Sequence, residues 1–381
     1  MSGSGLKAVT LAVVLAAAAA GPAPAADKGN PAGVPEMGRL LGGGDTRGFA
    51  RADHPRQFHF PADHGPHPAY RSEWWYFTGN LQTAGGRRFG YELTVFRFAL
   101  APPPAQGTAP RPSHWATRQV YMAHLALTDV QGRRFQAYQR LARGALGLAG
   151  ARASPFRVWV GDWFVGGPDG GPWHLHARHG AIKLDLTLTP AAPIVLQGDH
   201  GLSRKSGAPG NASYYYSIPR LTTAGTVTVD HRDWKVTGSS WLDREWSTSA
   251  LGSDQAGWDW FALQLEDGSD LMFYRLRRKD GSVDPHSAGS LLEPDGKVVR
   301  LNRSDVKVTV RSHWRSPRGG TYPSRWHLSV PKLHLDLDVT PLLADQELDL
   351  SVRYWEGAVK VTGSRRDKAV QGVGYVELTG Y

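Results

Sequence analysis

The 381-residue chain contains no cysteine, and its longest apolar run, residues 8–20, is too short to cross a bilayer. Without cysteine there is no thiol nucleophile, no disulfide framework and no lipid-modified N-terminal cysteine. The motifs GxSxG and HExxH and the Gly-rich phosphate loop are also missing. Hydrolysis therefore has no identifiable nucleophile–base pair in this sequence.

The N-terminus is typical of a secretory signal. Lys7 is followed by the apolar run, and Ala-Pro-Ala at 23–25 fits a cleavage site. We expect a signal peptide over 1–25, a Gly/Pro/Ala-rich flexible leader over 26–52, and a periplasmic or secreted protein. An uncleaved membrane anchor is the alternative.

The net charge is +10, and the basic residues are scattered along the chain. This distribution indicates a solvated surface and is compatible with peripheral contact with anionic lipid headgroups. An exported chain without a basic helix or a nucleic-acid-binding motif is not expected to bind nucleic acid.

Alternation with a period of two dominates the chain from Trp74 onward. Residues 182–188 read IKLDLTL and residues 333–339 read LHLDLDV, and the dipeptides at 85–86, 267–268, 280–281 and 295–296 are hairpin signals. With 45 Gly, 26 Pro and 14 Trp, the composition favours a turn-rich all-β protein. Strands at this spacing predict barrels or closed sandwiches, and a small barrel can hold one ligand.

Three segments recur in the same order. Residues 74–81, 173–190 and 236–246 resemble residues 258–265, 326–341 and 370–380. We expect two related β domains, 53–250 and 251–381, and the insertions in the first make it the expected working barrel.

The stretch 236–265 places three charges between tryptophans: Trp241, Asp243, Arg244, Glu245 and Trp246. In a strand, Trp241, Asp243 and Glu245 share one face, and Arg244 lies on the other with Leu242 and Trp246. If Arg244 pairs with a carboxylate across strands, the charges form a structural tie. If instead an acid lies in an apolar pocket, burial keeps its proton and it can act as a catalytic acid. Asp243 and Glu245 are the candidate catalytic residues.

Further residues are candidates for contact with a ligand. Glu73 is either a second acid or a partner for an arginine, and Lys205 is either surface charge or a flank of the cavity mouth. Strand alternation allows either Tyr215 or the pair Tyr214 and Tyr216 to reach a cavity. The histidines of segment 54–67 lie in extended, Pro-rich sequence, so no metal site and no cofactor are predicted. The full set of candidate ligand-binding residues is Trp241, Arg244, Trp246, Tyr214, Tyr215, Tyr216, Glu73, His64, His67 and Lys205.

The motifs EWWYFTGNL, GLSRKSGAPGNASYYYSIPRL, VTGSSWLDREWS and GWDWFALQL together resemble the AttH-type, carotenoid 1,2-hydratase-like family. The resemblance runs from about residue 53 to the C-terminus. It implies two tandem lipocalin-like antiparallel β-barrels and a secreted protein. It also implies that neighbouring genes encode proteins similar to lipoprotein-release-type ABC transporters. It also assigns His64 and His67 to a family pattern, DHGxHP. Trp241 and Asp243 match the aromatic and the acid of the hydratases, whereas Leu242 and Arg244 stand where those enzymes have histidines.

Three functions follow from this sequence. The first is a periplasmic lipocalin-like protein that binds a hydrophobic ligand such as an isoprenoid, lipid or polyene. The second is a hydratase-like or isomerase-like enzyme acting on an isoprenoid double bond, with Asp243 as the proton donor. The third is a non-catalytic accessory of an ABC transporter.

Overall fold

A computed structural model describes residues 45–104, 113–249 and 251–381. These residues form two antiparallel sheets, of which one curls into a nearly closed barrel and the other into a half-barrel. The predicted all-β fold with two tandem lipocalin-like barrels is confirmed. The predicted signal peptide lies outside the described residues. Within them, no helix is both long and apolar enough to span a membrane.

The first sheet contains thirteen strands. They are β1 (Ser72–Gln82), β2 (Arg88–Ala99), β3 (Gln119–Asp129), β4 (Arg134–Arg143), β5 (Ala149–Arg152), β6 (Phe156–Val160), β7 (Trp163–Gly167), β8 (Trp173–His179), β9 (Ile182–Pro190), β10 (Val195–Leu196), β11 (Leu202–Arg204), β12 (Ala212–Val229) and β13 (Arg232–Ser247). Their order is β4-β3-β2-β1-β13-β12-β9-β8-β7-β6-β5, and β10 and β11 pair with β12.

The second sheet contains ten strands. They are β14 (Gln255–Leu265), β15 (Asp270–Arg278), β16 (Ala288–Leu292), β17 (Val298–Asn302), β18 (Lys307–Arg315), β19 (Thr321–Val330), β20 (Leu335–Pro341), β21 (Glu347–Asp349), β22 (Arg353–Arg365) and β23 (Lys368–Leu378). Their order is β17-β16-β15-β14-β23-β22-β20-β19-β18, and β21 pairs with β22. Three short 3₁₀ turns, Ala62–His64, Arg303–Asp305 and Pro331–Leu333, complete the regular structure of the described residues.

The repeated segments occupy equivalent places in the two sheets. In the first sheet β1 lies beside β13, then β12, β9 and β8, and in the second β14 lies beside β23, then β22, β20 and β19. The hairpin β12–β13 turns at Asp230 and His231, and β22–β23 turns at Arg366 and Asp367. All four of these residues have positive φ, as the two-residue turns of hairpins require. Neither turn contains glycine, so a search for Gly-containing dipeptides does not find them.

Side-chain alternation fills each barrel with apolar residues. On β9, Ile182, Leu184, Leu186 and Leu188 are buried in the first core, and Leu335, Leu337 and Val339 of β20 are buried in the second. The strands at the centre of each sheet are buried on both faces, because the two sheets pack against each other there. This packing gives the central strands a second interior face, which lies between the barrels.

Hydrogen bonds join the two sheets across their contact. The Gln264 amide donates to the carbonyl oxygens of Pro219 and Ser240 at 2.6 and 3.0 Å. Arg220 forms an ion pair with Asp270 at 2.6 Å. The side chains of Gln264, Arg220 and Asp270 are therefore paired across the contact, as most buried polar groups are.

Close approach of the sheets depends on the small residue at position 90. A Cβ atom added to Gly90 would lie 2.4 Å from the Cβ of Ala358 on β22, and both residues are buried. Neither atom belongs to a flexible side chain, so a larger residue at position 90 must push the sheets apart.

We expect Gly90→Ala to lower the free energy of unfolding by about 1–3 kcal/mol, the usual cost of overpacking a core. The compensating pair Gly90→Ala with Ala358→Gly should recover most of this loss. Gly85→Ala is the matched control, because Gly85 is exposed and its added Cβ would meet nothing closer than 3.8 Å. Urea unfolding measures all three variants. Equal stability of the wild type and Gly90→Ala would show that the sheets are not in tight contact here.

Candidate functional site

Strand β13 separates its residues onto two buried faces. Leu242 and Trp246 lie in the core of the first barrel, whereas Trp241 belongs to an aromatic cluster shared with the second sheet. Asp243 and Glu245 line the cavity between the sheets. The predicted alternation along this strand is therefore the one observed.

On the face towards the first barrel, Arg244 contacts the carboxylate of Glu73, and Arg97 contacts the same carboxylate. The side chains of Arg244 and Glu73 are completely buried. The guanidinium of Arg244 also lies 3.8 Å from the centre of the Trp75 ring. Burial alone would raise the pKa of Glu73, but the two guanidinium groups outweigh it and hold that pKa well below its usual range. Glu73 is thus an ionised partner of arginines.

The cavity lies between the two sheets and not inside the first barrel, where the sequence placed it. It encloses about 720 Å³ including its open mouth. The first sheet and its β11–β12 loop contribute Trp74, Tyr76, Glu92, Phe96, Lys205, Tyr215, Asp243 and Glu245. The remainder of the chain contributes Leu251, Trp258, Trp260, Tyr274, Leu276, Tyr354 and Glu377. This lining, mostly aromatic with a few convergent polar groups, is typical of pockets that hold small apolar molecules.

Asp243 is a buried acid on the cavity wall. Its carboxylate accepts hydrogen bonds from Tyr215 Oη at 2.5 Å, Ser217 Oγ at 2.6 Å and Trp241 Nε1 at 2.6 Å. Burial raises the pKa of Asp243 to about 7, although these three donors lower it. Among the described residues no arginine, lysine or histidine forms an ion pair with it. The protonated form of this carboxyl group is therefore populated near neutral pH.

Tyr215 links Asp243 to the second sheet. Its hydroxyl group donates to Asp243 and accepts a hydrogen bond from Trp260 Nε1 at 3.1 Å. Trp260 packs edge-on against Tyr76 and Trp241, with ring centroids 5.2 and 6.2 Å apart. The acid is thus held by hydrogen bonds and surrounded by aromatic rings.

Lys205 and Glu245 form an ion pair within the same cavity, 3.1 Å apart. Lys205 Nζ also lies 4.4 Å from the centre of the Tyr274 ring. Burial would lower the pKa of Lys205, but the Glu245 carboxylate raises it, so the ammonium form persists. Lys205 is buried and is not the surface charge that one reading of the sequence allowed.

Three further acids lie in or beside the cavity, and the sequence analysis did not select them as site residues. Burial raises the pKa of Glu92 to about 7 and that of Glu377 to about 8, and it raises the pKa of Glu356 well above its usual range. One signal was available for Glu377, because the internal repeat aligns it with Asp243. For Glu92, the signal was a single charge within the apolar strand FGYELTVF.

The other candidates lie on the first-barrel side of the sheet. Tyr216 Oη is 2.6 Å from His64 Nδ1, and the Tyr214 hydroxyl donates to the His54 carbonyl oxygen at 2.9 Å. His67 stacks on Trp246 with ring centroids 3.7 Å apart. The structure therefore brings Asp243, Glu245, Tyr215 and Lys205 to one cavity, and Trp241, which does not line it, donates a hydrogen bond to Asp243. It places Arg244, Trp246, Tyr214, Tyr216, Glu73, His64 and His67 around the buried ion pairs on the opposite face.

Comparison with known proteins agrees with this architecture. The AttH-like family model matches residues 51–381. The crystal structure of an AttH-type protein from Nitrosomonas europaea is 36% identical, with a TM-score of 0.77, and the match covers 87% of this chain and all of that one.

Kievitone hydratase is a more distant relative. The enzyme from Fusarium solani subsp. phaseoli is 22% identical over 212 residues, and the match covers 53% of this chain and 58% of that protein's length. The crystal structure of kievitone hydratase from Nectria haematococca shares the fold at 16% identity, with a TM-score of 0.65 and 88% and 96% of the two chains covered. By its family match over residues 51–381 and its 36% identity to the Nitrosomonas protein, the chain belongs to the AttH-like family.

Proposed function

We propose that the protein adds water to a carbon–carbon double bond of a hydrophobic, isoprenoid-type ligand held between the two sheets. The observation that carries this proposal is Asp243, a buried carboxyl group on the wall of an aromatic cavity, which forms no ion pair with any residue that the structure describes. The relationship to kievitone hydratase supports a hydratase-type reaction.

The reaction begins with the proton of Asp243. Transfer to one alkene carbon uses the π electrons to form a C–H bond and leaves a carbocation on the other carbon. A carboxyl group that is protonated near neutral pH suits this step, because an alkene is too weak a base for water to protonate. Tyr215 and Ser217 then donate hydrogen bonds to the carboxylate that remains.

The aromatic rings stabilise the cation. The faces of Trp and Tyr carry partial negative charge and attract a cation within about 6 Å. Trp258, Trp260 and Tyr274 supply such rings from the second sheet, opposite the acid. Because an apolar wall also excludes bulk water, the cation survives until one bound water molecule attacks it.

Water completes the addition. Its oxygen forms the new C–O bond, and the excess proton passes to a carboxylate, which restores the acid when that carboxylate is Asp243. Glu245 is a second proton acceptor on the same face of β13, and its ion pair with Lys205 holds it in place. The reaction consumes one water molecule and requires no cofactor.

The departure from the hydratase pattern at Leu242 and Arg244 does not alter the cavity wall. Both residues point to the first barrel, where Arg244 contacts Glu73. The substrate is therefore set by the residues that line the cavity, and these are mostly aromatic. We propose an isoprenoid or similarly apolar molecule, without restricting it to carotenoids.

Ligand binding without turnover is the second candidate. The mostly aromatic wall favours retention of an apolar molecule in either case. Export to the periplasm, peripheral membrane contact and partnership with an ABC transporter stay predictions of the sequence.

We expect Asp243→Asn to lower the hydration rate by about 10²–10⁴-fold, the usual contribution of a general acid. Acyclic isoprenoids and prenylated phenols are incubated in water labelled with heavy oxygen, and mass spectrometry detects incorporation. Asp233→Asn is the control, because it makes the same change at the exposed end of the same strand. Full incorporation by Asp243→Asn would remove this residue from the mechanism.

The hydration rate should also fall as the pH rises. The active form of Asp243 is protonated, and burial raises its pKa to about 7, so kcat/KM should fall as the pH rises through about 7. Above that value the protonated fraction falls about tenfold per pH unit. Initial rates from about pH 5 to about pH 9 test this dependence. A rate that increases across this range would show that the required form of the acid is the carboxylate.

Native mass spectrometry separates binding from turnover. Protein purified without detergent should retain an apolar ligand, and Trp258→Ala should lose it, because Trp258 lines the cavity and is only partly buried. Asp243→Asn should retain a ligand that is lighter by one water molecule than the one in the wild type. Identical ligands in the wild type and Asp243→Asn would favour binding alone.

A further inference from the structure

A second cluster of polar side chains lies on the outside of the first barrel, on the β8–β9 hairpin. His174 Nε2 is 2.5 Å from one carboxylate oxygen of Asp185, and His176 Nδ1 is 3.9 Å from the other. Side-chain exposure is 48% for His174, 22% for His176 and 39% for Asp185, so solvent ions reach all three. None of them contributes to the cavity between the sheets.

Strand geometry creates this cluster. His174 and His176 are two residues apart on β8 and therefore point to the same face. Asp185 lies directly opposite His176 in the register of β8 and β9. The Phe164 ring packs against both imidazoles, with centroids 5.3 and 5.8 Å away, and restricts their orientation.

We propose that His174, His176 and Asp185 bind a divalent transition-metal ion, with Zn²⁺ as the representative ion. Their ligand atoms all lie within 4.8 Å of one another, and no other such group of three occurs in the part of the chain that the structure describes. Zn²⁺ takes nitrogen and oxygen ligands at about 2.0–2.2 Å, which places them about 3.4 Å apart. Small rotations of these exposed side chains would bring the ligand atoms from within 4.8 Å to about 3.4 Å of one another.

The donor atoms determine which metal ions the site binds. Two imidazoles and one carboxylate leave at least one coordination position for water or an added ligand. Imidazole suits zinc, copper and nickel, whereas calcium and magnesium prefer sites made of oxygen alone. The site therefore selects a transition metal over the alkaline-earth cations.

Two cationic side chains lie near the proposed metal site, and one of them, Lys183, competes with the metal ion for Asp185. Lys183 Nζ lies 3.9 Å from Asp185 and must move away when the metal binds, which its partial exposure allows. Arg178 is already paired with Asp162 at 2.9 Å. An exposed site with three protein ligands and a competing ammonium group should bind weakly, with a dissociation constant on the order of micromolar.

The second barrel contains a natural control. The pairing of Trp173 with Leu188 corresponds to that of Trp326 with Val339, so His327 takes the place of His174 and Asp336 that of Asp185. Ser329 stands where His176 stands, and it leaves the second copy with one imidazole. The two copies thus differ in the residue that completes the site.

The test is calorimetric titration of the full chain, without a histidine tag, with Zn²⁺ alone and with Mg²⁺ for comparison. We expect one equivalent of Zn²⁺ and no binding of Mg²⁺. His176→Ser, which copies the second barrel, should weaken binding at least tenfold, and His327→Ala should leave it unchanged. Ser329→His should add a second equivalent. Circular dichroism confirms that each variant is folded.

Three results would overturn the proposal. The first is the absence of Zn²⁺ binding by the wild type, and the second is equal binding by the wild type and His176→Ser. An unchanged stoichiometry in Ser329→His would equally contradict it, because the second imidazole would then not be the determining ligand.

Discussion

The period of two along strand β13 is the constraint on which the remainder of the structure depends. It sends Arg244 to one side of the sheet and Asp243 to the other, although the two are adjacent in the chain. Buried charges are stable only when they are paired, and Arg244 has its partner in Glu73. The strand backbone separates this pair from Asp243. A guanidinium group therefore stabilises one acid, while burial keeps the proton on the other.

The raised pKa of Asp243 also depends on the packing of the two sheets. The central strands of a single barrel would expose their outer face to water, and Asp243 would then be an ordinary ionised side chain. Here the second sheet covers that face, and hydrogen bonds such as those of Gln264 fix the separation. The aromatic rings of both sheets leave a space between them, and the acids at its wall lose their hydration. The raised pKa of Asp243 is thus a property of the contact between the barrels.

Much of the fold was accessible from the sequence, because strand alternation and hairpin signals are local. Residues 182–188 lie in β9 and residues 335–339 lie in β20, with their apolar residues facing the cores, whereas Leu333 ends the 3₁₀ turn before β20. The internal repeat predicted equivalent strands, and the sheet orders agree with it. The same local rules placed Trp241, Asp243 and Glu245 on one face.

The position of the cavity was not accessible, because it depends on how the two sheets pack. Alternation assigns Asp243 to a face but does not say whether that face points into a barrel or towards a second sheet. Glu92 and Glu377 are separated by most of the chain and meet only through this packing. Lys205 belongs to a Gly/Ser/Pro segment that is typical of exposed loops, yet a carboxylate and two tyrosine rings surround its ammonium group. The pKa of Asp243 is raised although Arg244 is adjacent in the chain, because neighbours on a strand point to opposite sides.

The two walls of the cavity have different origins. The first sheet supplies Asp243, its hydrogen-bond donors and the Lys205–Glu245 pair, whereas residues 251–276 supply most of the opposing apolar surface. Substitutions in the second sheet, except at Trp260, which donates to Tyr215, can therefore reshape the cavity while the acid and its donors stay as they are. For the proposed hydration, a duplicated fold of this kind allows substrate preference to change in one half while the chemistry is preserved in the other. The repeat thus gives the family a way to diversify that a single barrel, with acid and ligand wall on the same sheet, does not have.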